Sequence, residues 1–155
     1  MSQEPDDGRA ALHVEVLEAL RGYAVAYQES TLHFARSVGL PTTDGVALGE
    51  VVYADLTGAP LSPAGLSRRT GLTSGAVNAL VNLLAQHGLL TRTREHDDRR
   101  IVSLRPTAEA LERAQAYYGT RAEELQDALA SYDHEELRRV RDFLVRFAAI
   151  LPRAD

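Results

Sequence analysis

The chain has 155 residues, no cysteine and a formal net charge of −5 at pH 7. The missing cysteine excludes disulfides, thiolate chemistry and cysteine-ligated metals. Hydrophobic residues make up 45% of the chain, enough for one core, yet there is no apolar run of the ~18 residues that a membrane helix needs.

The N-terminal "MSQEPDDGR" is polar and acidic, unlike a signal or transit peptide, so a cytoplasmic protein is expected, with residues 1–9 as a disordered tail and 10–155 as a single domain. Residues 10–38 place Leu12, Val16, Leu20, Tyr23, Tyr27, Phe34 and Val38 at helical spacing, and Gly39 and Pro41 end that helix. A second helix follows, capped by Thr42 or Thr43, with Val46, Leu48, Val51, Val52 and Leu56 inward; Gly58 to Pro60 stop it. "LSPAGLSRRTG" is a short helix with Ser62 as N-cap and Pro63 at the first helical position, where a missing N–H costs nothing. In "LTSGAVNALVNLLAQHG" Thr73 caps, Gly88 ends, and Val77, Leu80, Val81 and Leu84 form an inward stripe. "LLTRTR" and "RIVSLR" alternate with period two and read as an antiparallel hairpin. Pro106 and Thr107 start a long helix to about Leu129. Asp133 caps a last helix in which Leu137, Val140, Leu144, Phe147 and Leu151 make a seam suited to a helical partner.

Charge is unevenly spread. Between Pro60 and Arg105 there are seven arginines and three acids, a local balance of +4, against −9 for the rest of the chain. A basic middle in an acidic frame fits local anion binding. Its densest part is "REHDDRR", residues 94–100, a charged knot between two apolar strands. Helix, tight turn, helix and hairpin is the order of a winged helix-turn-helix. There the second helix of the turn enters a DNA major groove, and an arginine-rich hairpin tip suits the negative potential of a narrow minor groove.

The stretch "LSPAGLSRRTGLTSGAVNALVNLLAQHGLLTRTREHDDRRIVSLRPTAEA" resembles the core of the MarR family of bacterial transcription regulators. Its marks are "GL-T/S" before the fourth helix, "HGLLTR" after it, and "DDRR" followed by an apolar strand. The resemblance implies a mostly α fold, with a winged helix-turn-helix at 42–106 flanked by dimerisation helices at 10–38 and 107–151. It implies a homodimer that binds a double-stranded DNA operator, usually as a repressor, and releases it when a small aromatic or anionic effector binds. Arg100 matches the tip arginine of the wing and Asp98 the acid that orients it; Arg94 and Arg99 add wing charge. Thr73, Ser74, Gly75 and Asn78 fall at the start of the reading helix, with Asn82 a turn further on as a backbone or water contact. Asn78 has the chemistry to pair with adenine. Where the family usually carries a basic residue stands Ala79, and nothing from Leu72 to Gln86 is charged. Phosphate-binding charge must then come from Arg68, Arg69 and the wing.

The resemblance also implies an effector pocket, for which Tyr23, Tyr27, His33 and Tyr53 are the candidates; ordinary packing is the competing reading of each. The five histidines match no closed zinc pattern. There is no phosphate loop or nucleophile elbow. No enzyme activity, metal, cofactor or membrane partner is expected. The uncharged reading helix leaves a second reading open, a winged-helix module that binds protein instead of DNA.

Overall fold

The structure, a computed structural model, describes residues 4–94 and 102–151, with side chains from residue 8 onward. Six helices and a two-stranded hairpin follow in the order α1 (Glu4–Ser37), α2 (Thr42–Leu56), α3 (Pro63–Thr70), α4 (Ser74–Gln86), β1 (Leu90–Thr93), β2 (Ser103–Pro106), α5 (Ala108–Ala130) and α6 (His134–Ile150).

Helix α1 is helical from Glu4, where the sequence suggested a tail through residue 9. Pro5 is no obstacle, because the first-turn N–H groups have no helical acceptor to lose. Only the C-terminal end of α1 enters the core, through Phe34, Ala35 and Val38. Leu12, Val14, Leu17, Tyr23, Val25 and Tyr27 lie exposed. Gly39, at φ 71°, turns the chain, and the Leu40 N–H closes on the Ala35 carbonyl at 3.0 Å. The expected threonine cap of α2 is corrected. Pro41 is the N-cap and makes no side-chain cap, because both threonines are already helical and the Gly45 N–H bonds the Pro41 carbonyl at 2.9 Å.

The core lies in the middle of the chain. Leu48 and Val51 of α2, Leu66 of α3, Val77, Val81 and Leu84 of α4, and Leu89, Leu90 and Leu104 of the hairpin are buried together. The hairpin is antiparallel, pairing Leu90 with Pro106, Thr91 with Arg105, Arg92 with Leu104 and Thr93 with Ser103. Pro106 therefore ends β2 and does not begin α5. The α5 cap is Thr107, whose Oγ1 accepts from the Ala110 N–H at 3.3 Å. Asp133 caps α6 in a full capping box with Glu136. Helix α6 buries none of its residues. In its apolar seam Val140, Leu144 and Leu151 are exposed, while Leu137 and Phe147 are partly covered.

Gly45 marks the closest approach of α2 to α1: a Cβ there would meet the Cβ and backbone of Ala35, whereas a Cβ at Gly49 meets only the Phe34 ring at 3.6 Å. Gly45→Ala should therefore lower stability by about 1–3 kcal/mol through overpacking. Gly49→Ala should be neutral or stabilising by up to about 1 kcal/mol, since it removes a flexible residue from a helix interior. Thermal unfolding of the two variants should separate them, and equal melting temperatures would contradict the close α1–α2 contact.

Candidate nucleic-acid interface

Helices α3 and α4 and the turn between them form one rigid unit. Ser62 Oγ accepts from the Gly65 N–H at 3.1 Å, capping α3. Gly71 takes a left-handed conformation at φ 71°, which lets the chain reverse without the steric cost a side chain would bring. Ser67 Oγ donates to the Leu72 carbonyl at 2.6 Å, and Thr73 Oγ1 accepts from the Ala76 N–H at 3.3 Å.

Burial of Val77, Leu80, Val81 and Leu84 fixes the rotation of α4 about its axis. Ser74, Asn78 and Asn82, four residues apart, then share an exposed outward face with Gly75 and Ala79. Thr73 is exposed at its start. The structure thus brings together every reading-helix residue named from the sequence. Asn82 has a partner the sequence did not suggest: its Oδ1 accepts from Arg92 Nη2 at 2.8 Å.

The arginines of this region differ in their partners. Arg68 and Arg69 are both exposed in the last turn of α3. Arg69, however, pairs with Glu50 of α2 at 3.0 Å, so its charge is largely offset. Arg105 of β2 pairs with Asp55 of α2 at 2.7 Å. This pair, with the Leu104 N–H on the Leu61 carbonyl at 2.8 Å, ties the hairpin to the helices. Arg94 is exposed just beyond β1. Asp98, Arg99 and Arg100 lie outside the described residues. Sequence reasoning missed Arg92, Glu50 and Asp55. A signal for Arg92 existed: it is two residues from buried Leu90, so the strand alternation places it on the side facing α4.

The tyrosines fall into two groups. Tyr23 and Tyr27 stack on α1 with centroids 6.2 Å apart. Burial, then the charge of Glu50, then Tyr23 and Tyr53, raise the Tyr27 pKa above its ordinary value. Tyr23, Tyr27 and Tyr53 are thus neighbours, beside the Glu50–Arg69 pair. His33 is exposed. A second group, which the sequence did not single out, joins Phe34 to Tyr117 and Tyr118 of α5, at 5.6 and 5.1 Å. Tyr117 Oη donates to the Ser30 carbonyl at 3.0 Å. Tyr118 also lines an apolar cleft of about 650 Å³ between α2 and α5, with Val52, Leu56, Leu111, Ala114 and Gly119 among its walls. None of Tyr23, Tyr27, His33 and Tyr53 lines it. The spacing of Ala110, Ala114 and Tyr118 along α5 was a helical stripe that could have pointed there.

Residues 39–101 match the model of the MarR family. A curated relative from Bacillus subtilis, the uncharacterized HTH-type transcriptional regulator YcgE, is 29% identical over 92 residues, which are 59% of this chain and 60% of that protein. The match therefore spans less than two thirds of the relative. Among solved structures, Staphylococcus aureus MepR in its DNA-binding conformation superposes with a TM-score of 0.63 at 15% identity, over 88% of this chain and 98% of that one. A MarR family protein from Bacillus stearothermophilus gives 0.58 at 20% identity, over 90% and 95%. At such identities these two structures speak to the fold alone: a mostly α winged helix-turn-helix with a two-stranded hairpin. Among the described residues no helix is long and apolar enough to cross a membrane.

The packing of Tyr118 has a titration signature. Burial first, then Tyr117 and Tyr27, push its pKa up to about 12. The neutral phenol is the form the fold prefers, so its contribution is complete below about 10, the unfolded value. That contribution is lost as pH rises through about 12. Tyr118→Phe should make the alkaline decline in stability shallower over this window, and tyrosinate absorbance should lose its latest-titrating component. An unchanged absorbance titration would contradict this half-buried placement of Tyr118.

Proposed function

We propose that the chain, whose residues 39–101 match the MarR family model, is a homodimeric DNA-binding regulator of that kind, which represses from a pseudo-palindromic operator and lets go when a small ligand binds. One observation carries the DNA part: the outward face of α4, with Ser74, Asn78 and Asn82, is polar, free of acids and held rigid by a capped turn. A phosphate-lined groove repels carboxylates, and this face carries none. The MepR relative, described in its DNA-binding conformation, supports the same reading by fold.

Dimerisation is supported by apolar surface. Leu12, Leu17, Val25, Leu125, Leu129, Val140, Leu144 and Ile150 are exposed on α1, α5 and α6, apolar side chains that a helical partner would cover. A twofold dimer through these helices would set two α4 helices one duplex turn apart. The α2–α5 cleft is the best-placed site for an apolar or aromatic effector, because α2 is also tied to α3 and β2 by ion pairs. An effector acts only through a difference in affinity between the DNA-bound and free conformations. The uncharged α4 favours one competing reading, a protein-binding winged helix. It predicts no duplex binding at any salt concentration.

Selection of bound fragments from the source genome, followed by salt titration on the recovered duplex, tests the function. Each phosphate neutralised contributes about −0.9 to the slope of log affinity against log salt. Arg68→Ala should flatten that slope, and Arg69→Ala should do so less, since Glu50 already offsets its charge. Asn78→Ala should leave the slope alone and cost about 1–3 kcal/mol on the selected sequence only. Equal losses on selected and random duplex would remove Asn78 as a base reader. Sedimentation at micromolar concentration should give a dimer, and a monomer would remove the twofold arrangement.

A further inference from the structure

We propose that Arg92 is a phosphate-contacting residue at the far end of the reading helix and that Asn82 is its positioning residue. The inference rests on the DNA-binding reading and sharpens it: the sequence placed phosphate-binding charge on the wing as a whole, without singling out Arg92 or giving Asn82 a part in holding it.

Three observations carry it. The first is direction. Arg92 shares a strand face with Leu90, which is buried, and pairs across the hairpin with Leu104, also buried. That face looks onto α4. At position 92 the strand has run past the core, so the side chain reaches along α4 and Nη2 meets Asn82 Oδ1 at 2.8 Å.

The second is charge. Arg69 and Arg105 hydrogen-bond to carboxylates, which offset them. Among the described residues the partner of Arg92 is a neutral carboxamide, which holds the guanidinium in place without offsetting its charge. Arg92 is exposed, and of its five N–H donors the bond to Asn82 uses one. Holding an arginine by a neutral acceptor lowers the ordering cost of a later contact without weakening its pull on an anion.

The third is the helix itself. The last turn of α4 has no basic residue, and the carbonyl end of a helix carries partial negative charge that repels phosphate. Arg92 supplies from β1 the cation that this end lacks. Asn82 Oδ1 already accepts from Arg92, which commits one of its two lone pairs. The unused groups of the pair are then mostly donors, the Asn82 amide N–H groups and the remaining guanidinium N–H groups, which suits the oxygens of a phosphate.

The test uses the full-length protein and a fluorescent mixed-sequence duplex of ~30 base pairs, with binding followed over a fourfold range of salt. Arg92→Ala should flatten the slope by about 0.9 for each protomer engaged, and Arg92→Lys should keep the slope. Asn82→Ala should weaken binding severalfold in the parent and have no further effect in the Arg92→Ala background, as two residues acting through one contact require. Arg92 and Asn82 are exposed, so melting temperatures should not move. If the parent binds with a salt slope that Arg92→Ala leaves unchanged, the assignment of Arg92 is wrong. If Asn82→Ala costs as much without Arg92 as with it, Asn82 does not act through Arg92. A loss confined to one selected sequence would make the pair a base reader, against the proposal. A parent protein with no salt-dependent duplex binding would overturn the DNA-binding reading itself.

Discussion

Four apolar side chains on one side of α4, Val77, Leu80, Val81 and Leu84, set the rest of the interface. Burying them against α2 and α3 leaves α4 one rotation about its axis, and that rotation turns Ser74, Asn78 and Asn82 outward. The same core continues without a break into Leu89, Leu90 and Leu104, so the hairpin is held by the packing that holds the helix. A strand fixed in this way has Arg92 beside α4, within 2.8 Å of Asn82. A cavity opened at Val81 or Leu84 would disturb the outward face of α4 and the strands β1 and β2 together, since they share one core.

Charge is then laid over this frame in two ways. Arginines paired with acids act as struts: Arg69 to Glu50 joins α3 to α2, Arg105 to Asp55 joins β2 to α2, and Arg113, bonded to Glu109 and to the Val38 carbonyl, joins α5 to the end of α1. Partly exposed pairs of this kind contribute modestly to stability, on the order of 1 kcal/mol or less. Their consequence lies in geometry, because α2 becomes the element through which the hairpin and α3 feel one another. The α2–α5 cleft adjoins that element, so a ligand that wedged it open would strain the supports of α4 and the hairpin. Arg92 differs from these: among the described residues it is held by the neutral Asn82 carboxamide, which does not offset its charge.

The fold was legible wherever local rules and the core agreed. Ser62, Thr73 and Asp133 cap the helices their spacing indicated, and the glycines at 39, 71 and 88 turn where the helical pattern breaks. The errors fell where two local signals competed. Thr42 and Thr43 are good caps by type, but Pro41 already sets the backbone for a helix start, and the threonines pass inside it. Pro106 has the geometry of a first helical residue, yet its place opposite Leu90 keeps it in the strand. Of the candidate site, the α4 residues were readable because helical spacing alone places them. The Glu50–Arg69 and Asn82–Arg92 partnerships were not readable, because each joins two elements whose distance only the assembled core decides. The tyrosines of α1 attracted notice as aromatics, while the cleft formed around Tyr118, where Gly119 and two alanines leave room.

Helices α1, α5 and α6 complete the molecule and leave Leu12, Leu17, Leu125, Leu129, Val140, Leu144 and Ile150 exposed. The central claim remains that α4 and the strand beside it form the surface that meets DNA. Amide and arginine side-chain NMR shifts, followed as a mixed-sequence duplex is added to the full-length protein, test it most directly. The account predicts that Ser74, Asn78, Asn82 and the Arg92 guanidinium shift together, while the exposed residues of α6 stay put. Shifts confined to α1 and α6, or none at the reading face at saturating duplex, would contradict it.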